Sequence, residues 1–219
     1  MTKLLIFDLD GTLLDTRQDI ANACNHALRE CGCPERRLEE YNMLVGRGIY
    51  NLFRSALPED RRTDDMVMKM KSHFIPYYNS HINDFTRPYP GIMEMLERLS
   101  AEGMSFAVAS NKYQEGTEML VERHFGHGRF VRILGQREGK AIKPDPEIIY
   151  EIMSCMPEIS KDDVVYCGDS DVDMQTGENA GVRTIGVTWG FRTREELSSC
   201  RPWLLAENAE EIVRAVMSD

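Results

Sequence analysis

Leu4-Leu5-Ile6-Phe7-Asp8-Leu9-Asp10-Gly11-Thr12 passes from four consecutive apolar residues straight into two carboxylates and a glycine. Leu4 to Phe7 is too short and too continuous for an amphipathic helix. It reads as a strand buried on both faces, hence central in a parallel sheet. Strand side chains alternate, so Asp8 and Asp10 start on the same side, and Gly11 allows a tight turn over whatever they face. The carboxyl edge of an open α/β sheet is where ligands bind. An ordinary turn with capping carboxylates is the simpler alternative. The buried strand favours a site, because paired carboxylates at a dry sheet edge repel one another and call for a cation.

The 219 residues suffice for one α/β unit with a small accessory domain, and 42% hydrophobic against 28% charged residues is a globular balance. A net charge of −10 argues against nucleic acid or an anionic membrane as partner. No apolar run approaches the roughly 20 residues of a spanning helix, and the short N-terminal run does not fit a signal-peptide core. A cytoplasmic protein, monomer or homodimer, is expected. The six cysteines lack C-x-x-C spacing and read as reduced structural thiols.

Downstream, Thr16-Arg17-Gln18-Asp19 resembles a capped helix start, followed by Ile20, Ala23, Cys24, Ala27, Leu28 and Cys31 at helical spacing. Helical texture continues to about residue 83, which predicts an all-helical insertion over 15–83 and an α/β core built from 1–14 and 84–219. Within the insertion, Val45-Gly46-Arg47-Gly48-Ile49-Tyr50 is either a plain interhelical turn or a loop presenting Arg47 to an anionic substrate. After Pro88-Tyr89-Pro90-Gly91, helices and strands alternate: strands at Phe106–Ala109, Val131–Leu134, Val164–Cys167 and Thr184–Val187, the last helix at Ala209–Met217. That alternation implies a doubly wound parallel sheet, an α/β fold of Rossmann type.

Two later strands also end in polar clusters, Ser110-Asn111-Lys112 and Gly168-Asp169-Ser170-Asp171-Val172-Asp173, and Lys143-Pro144-Asp145-Pro146 precedes a helix. Each cluster alone could be a cap or a turn. Together they supply a nucleophilic carboxylate, an oxygen-rich cation site, a hydroxyl and a fixed positive charge, the parts of a phosphoryl-transfer site. Asp8, Asp10, Asp169 and Asp173 against Lys143 alone would expel a phosphate dianion, so a divalent cation is required.

The four clusters, in this order, resemble the motifs of the haloacid-dehalogenase (HAD) superfamily of phosphohydrolases, and the insertion resembles that family's helical cap. The resemblance implies Asp8 as nucleophile, Asp10 as general acid/base, and Lys143 and Ser110 holding the phosphoryl oxygens with help from Gly11, Thr12 and Asn111. It also implies Mg²⁺ held by Asp8, the backbone carbonyl of Asp10 and Asp169, with Asp173 in support. Gly46-Arg47-Gly48 with Leu52, Pro88-Tyr89-Pro90-Gly91 and Gly186-Val187-Thr188-Trp189-Gly190 are similar to the phosphoglycolate phosphatase branch. The substrate is then a small phosphorylated metabolite. A phosphomutase or pyrophosphatase on the same fold is the alternative within the superfamily. A phospho-receiver domain is the alternative outside enzymes, and Asp10 together with the long insertion argues against it.

Overall fold

A computed structural model describes residues 2–219. Leu4–Phe7 forms β1, and the chain then makes a two-residue strand β2 (Leu14–Asp15) before entering the helical insertion. The insertion holds α1 (Arg17–Glu30), α2 (Tyr41–Leu44), α3 (Ile49–Ala56) and α4 (Asp64–His81). It returns through β3 (Arg87–Pro88), which pairs antiparallel with β2, Leu14 opposite Pro88. The remainder runs α5 (Ile92–Ala101), β4 (Ser105–Tyr113), α6 (Gln114–Phe125), β5 (Arg132–Gln136), α7 (Glu147–Met153), β6 (Val164–Gly168) and α8 (Asp171–Ala180). It closes with β7 (Arg183–Val187), α9 (Arg194–Ser199), β8 (Leu204–Ala206) and α10 (Ala209–Met217).

Six strands form one parallel sheet in the order β5-β4-β1-β6-β7-β8. β1 is central, with Phe7 opposite Val108 of β4 and Cys167 of β6. Both faces of β1 are covered, as its unbroken apolar sequence requires. Leu5 and Phe7 join the core shared with the insertion, while Leu4 and Ile6 pack with Ile148, Ile149, Ile152 and Tyr166 on the other face. The order of strands reverses at β1, so its carboxyl end opens into the crevice where such sheets bind ligands.

Three elements differ from the sequence expectation. β4 runs on through Ser110, Asn111 and Lys112 to Tyr113, because a register shift between Ala109 and Tyr113 keeps the strand paired while turning these polar residues into the crevice. β8 adds a sixth strand at the sheet edge, too short to show a period. The β2–β3 ribbon, two residues a side and one of them Pro88, carried no strand signal either.

The start of α1 is also used differently. Thr16 occupies the cap position but makes no capping bond; its hydroxyl donates to Asp10 Oδ1 at 2.7 Å. Buried Asp19 instead accepts from the Phe85 and Thr86 amides at 3.1 and 2.8 Å and from the Thr86 hydroxyl at 2.7 Å. One carboxylate thereby ties the outgoing and returning connections of the insertion. Asp19→Ala should cost on the order of 2 kcal/mol, since it strands buried donors. A melting temperature lowered by roughly 4–8 °C is the expected result, and an unchanged one would show that the ribbon holds without Asp19.

Candidate active site

The chain turns sharply after β1, and Gly11 carries φ +85°. A Cβ there would lie 2.4 Å from Asp169 Oδ2, and one at Gly190 would lie 2.3 Å from Asp169 Cβ. The two glycines therefore clamp the Asp169 carboxylate between the β1 and β7 loops. Its Oδ2 accepts from the Phe191 amide at 2.7 Å, and Trp189 Nε1 locks the same loops by donating to Thr12 O at 3.0 Å.

Asp8, Asp169 and Asp173 are buried, and each offers an oxygen within 4.8 Å of the others. Lys143 Nζ lies among them, 2.7 Å from Asp173 Oδ1, 2.8 Å from the Tyr166 hydroxyl, 3.0 Å from Ala109 O and 3.0 Å from Asp8 Oδ1. An ammonium has three protons, and the first three acceptors use them. Asp8 Oδ1 is accordingly in the field of the lysine but receives no hydrogen bond. Asp173 is saturated: Tyr166 also donates to its Oδ1, and the Ser170 amide and hydroxyl cap its Oδ2. Asp173 holds the lysine, while Asp8 and Asp169 face each other with unused acceptor capacity.

Burial pushes the Asp8 carboxyl up to about 7, Lys143 pulls it down, and the charges of Asp173 and Asp10 add to the rise. Burial, then Asp173 and Asp8, hold Asp169 well above the carboxylate range. For Lys143, burial disfavours the ammonium, but Asp173 and Asp8 outweigh it and raise the group. An all-oxygen donor set with an orphaned buried oxygen and carboxylates resisting ionisation fits a hard divalent cation.

Asp10 faces the other way, toward the insertion. Lys112 Nζ reaches both its oxygens, at 3.1 and 3.2 Å, beneath the ring of Tyr78 at 4.6 Å. Asn111 accepts from the Lys143 amide at 2.9 Å and donates to Gly46 O at 3.0 Å, joining the lysine loop to the insertion. Asp8, Asp10, Ser110, Asn111 and Lys112 form the floor of a cleft. Its opposite wall is apolar and comes from the insertion: Ile20, Val45, Ile49, Leu52, Phe74 and the body of Tyr78.

Residues 5–187 match the family model described as haloacid dehalogenase-like hydrolase. The chain belongs to this family. A phosphoglycolate phosphatase of Vibrio parahaemolyticus is 29% identical over 98% of this chain and 96% of its own length. One of Aquifex aeolicus is 30% identical over 86% of each chain. A crystal structure of a Lactobacillus delbrueckii protein that carries a provisional phosphoglycolate phosphatase name superposes with a TM-score of 0.91, at 31% identity and 99% coverage of both chains.

As a haloacid dehalogenase-like hydrolase, the chain brings Asp8, Asp10, Gly11, Thr12, Ser110, Asn111, Lys143, Asp169 and Asp173 to one sheet edge. Arg47 is the exception. The Gly46 carbonyl turns toward the core, and the Arg47 side chain points out to Asp171 Oδ2 at 2.6 Å, where it is half-exposed. The short loop cannot aim its backbone and this side chain in the same direction. Nor does Lys143 stand alone against four carboxylates. Lys112 pairs with Asp10, so two negative charges remain uncompensated, which still calls for a cation.

Lys112, Tyr78 and Arg192 carried no role in the sequence reading. Lys112 belongs to the Ser110-Asn111-Lys112 cluster, yet its direction depends on the register shift in β4. Tyr78 looked like one aromatic among many in α4. Buried Arg192 donates to Asn42 O and, at 3.1 Å, to Val45 O, fastening the insertion's loop to the core. Nothing short of the folded chain connects residues that far apart. Among the described residues no helix is long and apolar enough to cross a membrane.

Proposed function

We propose that this hydrolase is a Mg²⁺-dependent phosphatase that cleaves a small phosphate monoester of the phosphoglycolate kind through an aspartyl-phosphate on Asp8. The observation that carries the reading is the buried Asp8–Asp169–Asp173 cluster around Lys143, with Asp8 Oδ1 left without a hydrogen bond. The relatives' activity and the small cleft support the substrate class.

The Asp8 carboxylate attacks phosphorus as the ester P–O bond breaks, and Asp10 gives its proton to the departing oxygen. Asp10 then takes a proton from the water that attacks the aspartyl-phosphate, freeing phosphate and Asp8. Asp10 is held for this by Thr16 and Lys112. Lys143, Ser110 and the amides about Gly11, Thr12 and Asn111 steady the phosphoryl oxygens. Asp8, Asp169 and the Asp10 carbonyl would hold Mg²⁺, with Asp173 keeping Lys143 in place. The ion supplies the positive charge that lets a phosphate dianion meet a carboxylate. The helical insertion closes the cleft as a cap, with the β2–β3 ribbon as its hinge. Six free cysteines agree with a reducing compartment such as the cytoplasm.

Phosphate release from phosphoglycolate should require Mg²⁺ and stop with EDTA. Activity that survives EDTA would sink the metal-dependent reading. A long-lived acyl-phosphate without turnover would point to a receiver.

A further inference from the structure

We propose that Lys112 and the Tyr78 hydroxyl form a subsite for one carboxylate on the leaving group. The site would then select phosphate monoesters that carry a carboxylate on the carbon next to the ester-bearing carbon or on that carbon itself. The inference rests on the phosphatase reading and adds to it the part of the substrate that is not phosphate.

Three observations converge. Among the described residues, Lys112 is the only cationic side chain lining the cleft. Its three protons meet two acceptors, both on Asp10, so one donor is left for a ligand. Tyr78 lines the same cleft, and its fully buried hydroxyl has no hydrogen-bond partner among the described residues. An unpaired buried hydroxyl is costly and calls for an acceptor from a ligand. Lys112 Nζ lies 4.6 Å from the Tyr78 ring centre, so the two residues stand side by side at this end of the cleft.

Position relative to the chemistry narrows the class. An acid that protonates the leaving oxygen must touch it. Lys112 lies within hydrogen-bond distance of that acid, so whatever flanks the leaving oxygen comes within reach of the lysine. The rest of the insertion's wall is apolar, which accepts an alkyl substituent but offers no counter-charge to a second phosphate. Arg47, which could have provided one, is engaged by Asp171 outside the cleft. Sugar bisphosphates and nucleotides are therefore poor substrates on this geometry.

The test compares phosphoglycolate with ethyl phosphate, in which a methyl replaces the carboxylate, in the full-length Mg²⁺-loaded enzyme. The unmodified enzyme is expected to prefer phosphoglycolate in kcat/KM by about 10- to 100-fold, the scale of one charged contact, expressed mainly in KM. Lys112→Met should lower both rates, since Asp10 loses its partner, and should erase the preference. Isosteric Tyr78→Phe should cut the preference by about fivefold. A role for Lys112 confined to holding Asp10 would lower both esters equally and leave the ratio intact, which overturns the subsite. Ethyl phosphate turned over without any carboxylate preference overturns the subsite and leaves the phosphatase reading standing. No hydrolysis of either ester overturns both.

Discussion

Asp8→Asn is expected to lower phosphate release by on the order of 10⁴- to 10⁶-fold, the loss seen when a covalent nucleophile is removed while the rest of a site stays in place. The amide has the carboxylate's shape, so the cleft keeps its form. It cannot form the aspartyl-phosphate, and acid-quenched protein should carry no phosphoryl group. Stability should move the other way. Burial already holds the Asp8 carboxyl near neutrality, up to about 7, so a neutral isostere there removes a charge the fold resists. The metal-free variant should therefore melt at the same temperature as the unmodified protein or above it. A rate within about two orders of magnitude of the unmodified enzyme would mean that the nucleophile lies elsewhere.

Removing the metal should make stability strongly pH-dependent, in a direction set by the raised carboxyls. Asp8 titrates at about 7 in the fold against an ordinary 3.8. Between those values the folded protein keeps a proton that the unfolded chain has released. Its contribution to stability is full below about 4 and is lost as pH rises through about 7. Asp169, raised by burial and by Asp173 and Asp8, acts in the same sense. Glu151 acts in the opposite sense and over a lower window, because hydrogen bonds from Arg137 hold it down to about 2 against its partial burial, so its contribution fades only on acidification below about 4. The EDTA-treated protein should thus lose melting temperature between about pH 5 and 7.5, and Mg²⁺ should restore it most at the higher pH, since the cation does there what protons do below. Asp169→Asn should abolish the Mg²⁺-dependent rise and lower activity by about 10²-fold or more. An undiminished Mg²⁺ shift in that variant would remove Asp169 from the metal site.

These expectations draw on residues that were legible to different degrees. Asp8, Asp10, Asp169, Asp173 and Lys143 stood out because each lies at a strand's carboxyl end, just ahead of a helix or in its first turn, where local texture alone marks the position. The helical insertion was legible because Ile20, Ala23, Cys24, Ala27 and Leu28 keep helical spacing. All five are buried in the structure. Thr16 and Asp19 misled for a physical reason. Side chains at a helix start can bond to the local backbone or to a distant partner, and here Asp10 and the Thr86 segment offer better-buried partners than the first turn does. Arg47 misled because a Gly-Arg-Gly loop leaves the direction of its side chain open, and Asp171 captured it.

The sequence by itself determined the parallel sheet and the set of groups that meet at its edge, because parallel strands must deliver their carboxyl ends to one side whatever the details of packing. Leu4 to Thr12 is the clearest case: an apolar strand and two carboxylates already imply a buried acidic edge. Only the tertiary structure decided which charge each group meets. Lys112 and Asp10 are 102 positions apart, and their contact depends on a two-residue register shift in β4 that no local pattern encodes. Lys143 gives its three protons to Asp173, Tyr166 and Ala109, and so leaves Asp8 free to act, because close packing fixes where the lysine sits. Residue type limits what a side chain can do. Register and direction, which come only from the packed chain, select the partner.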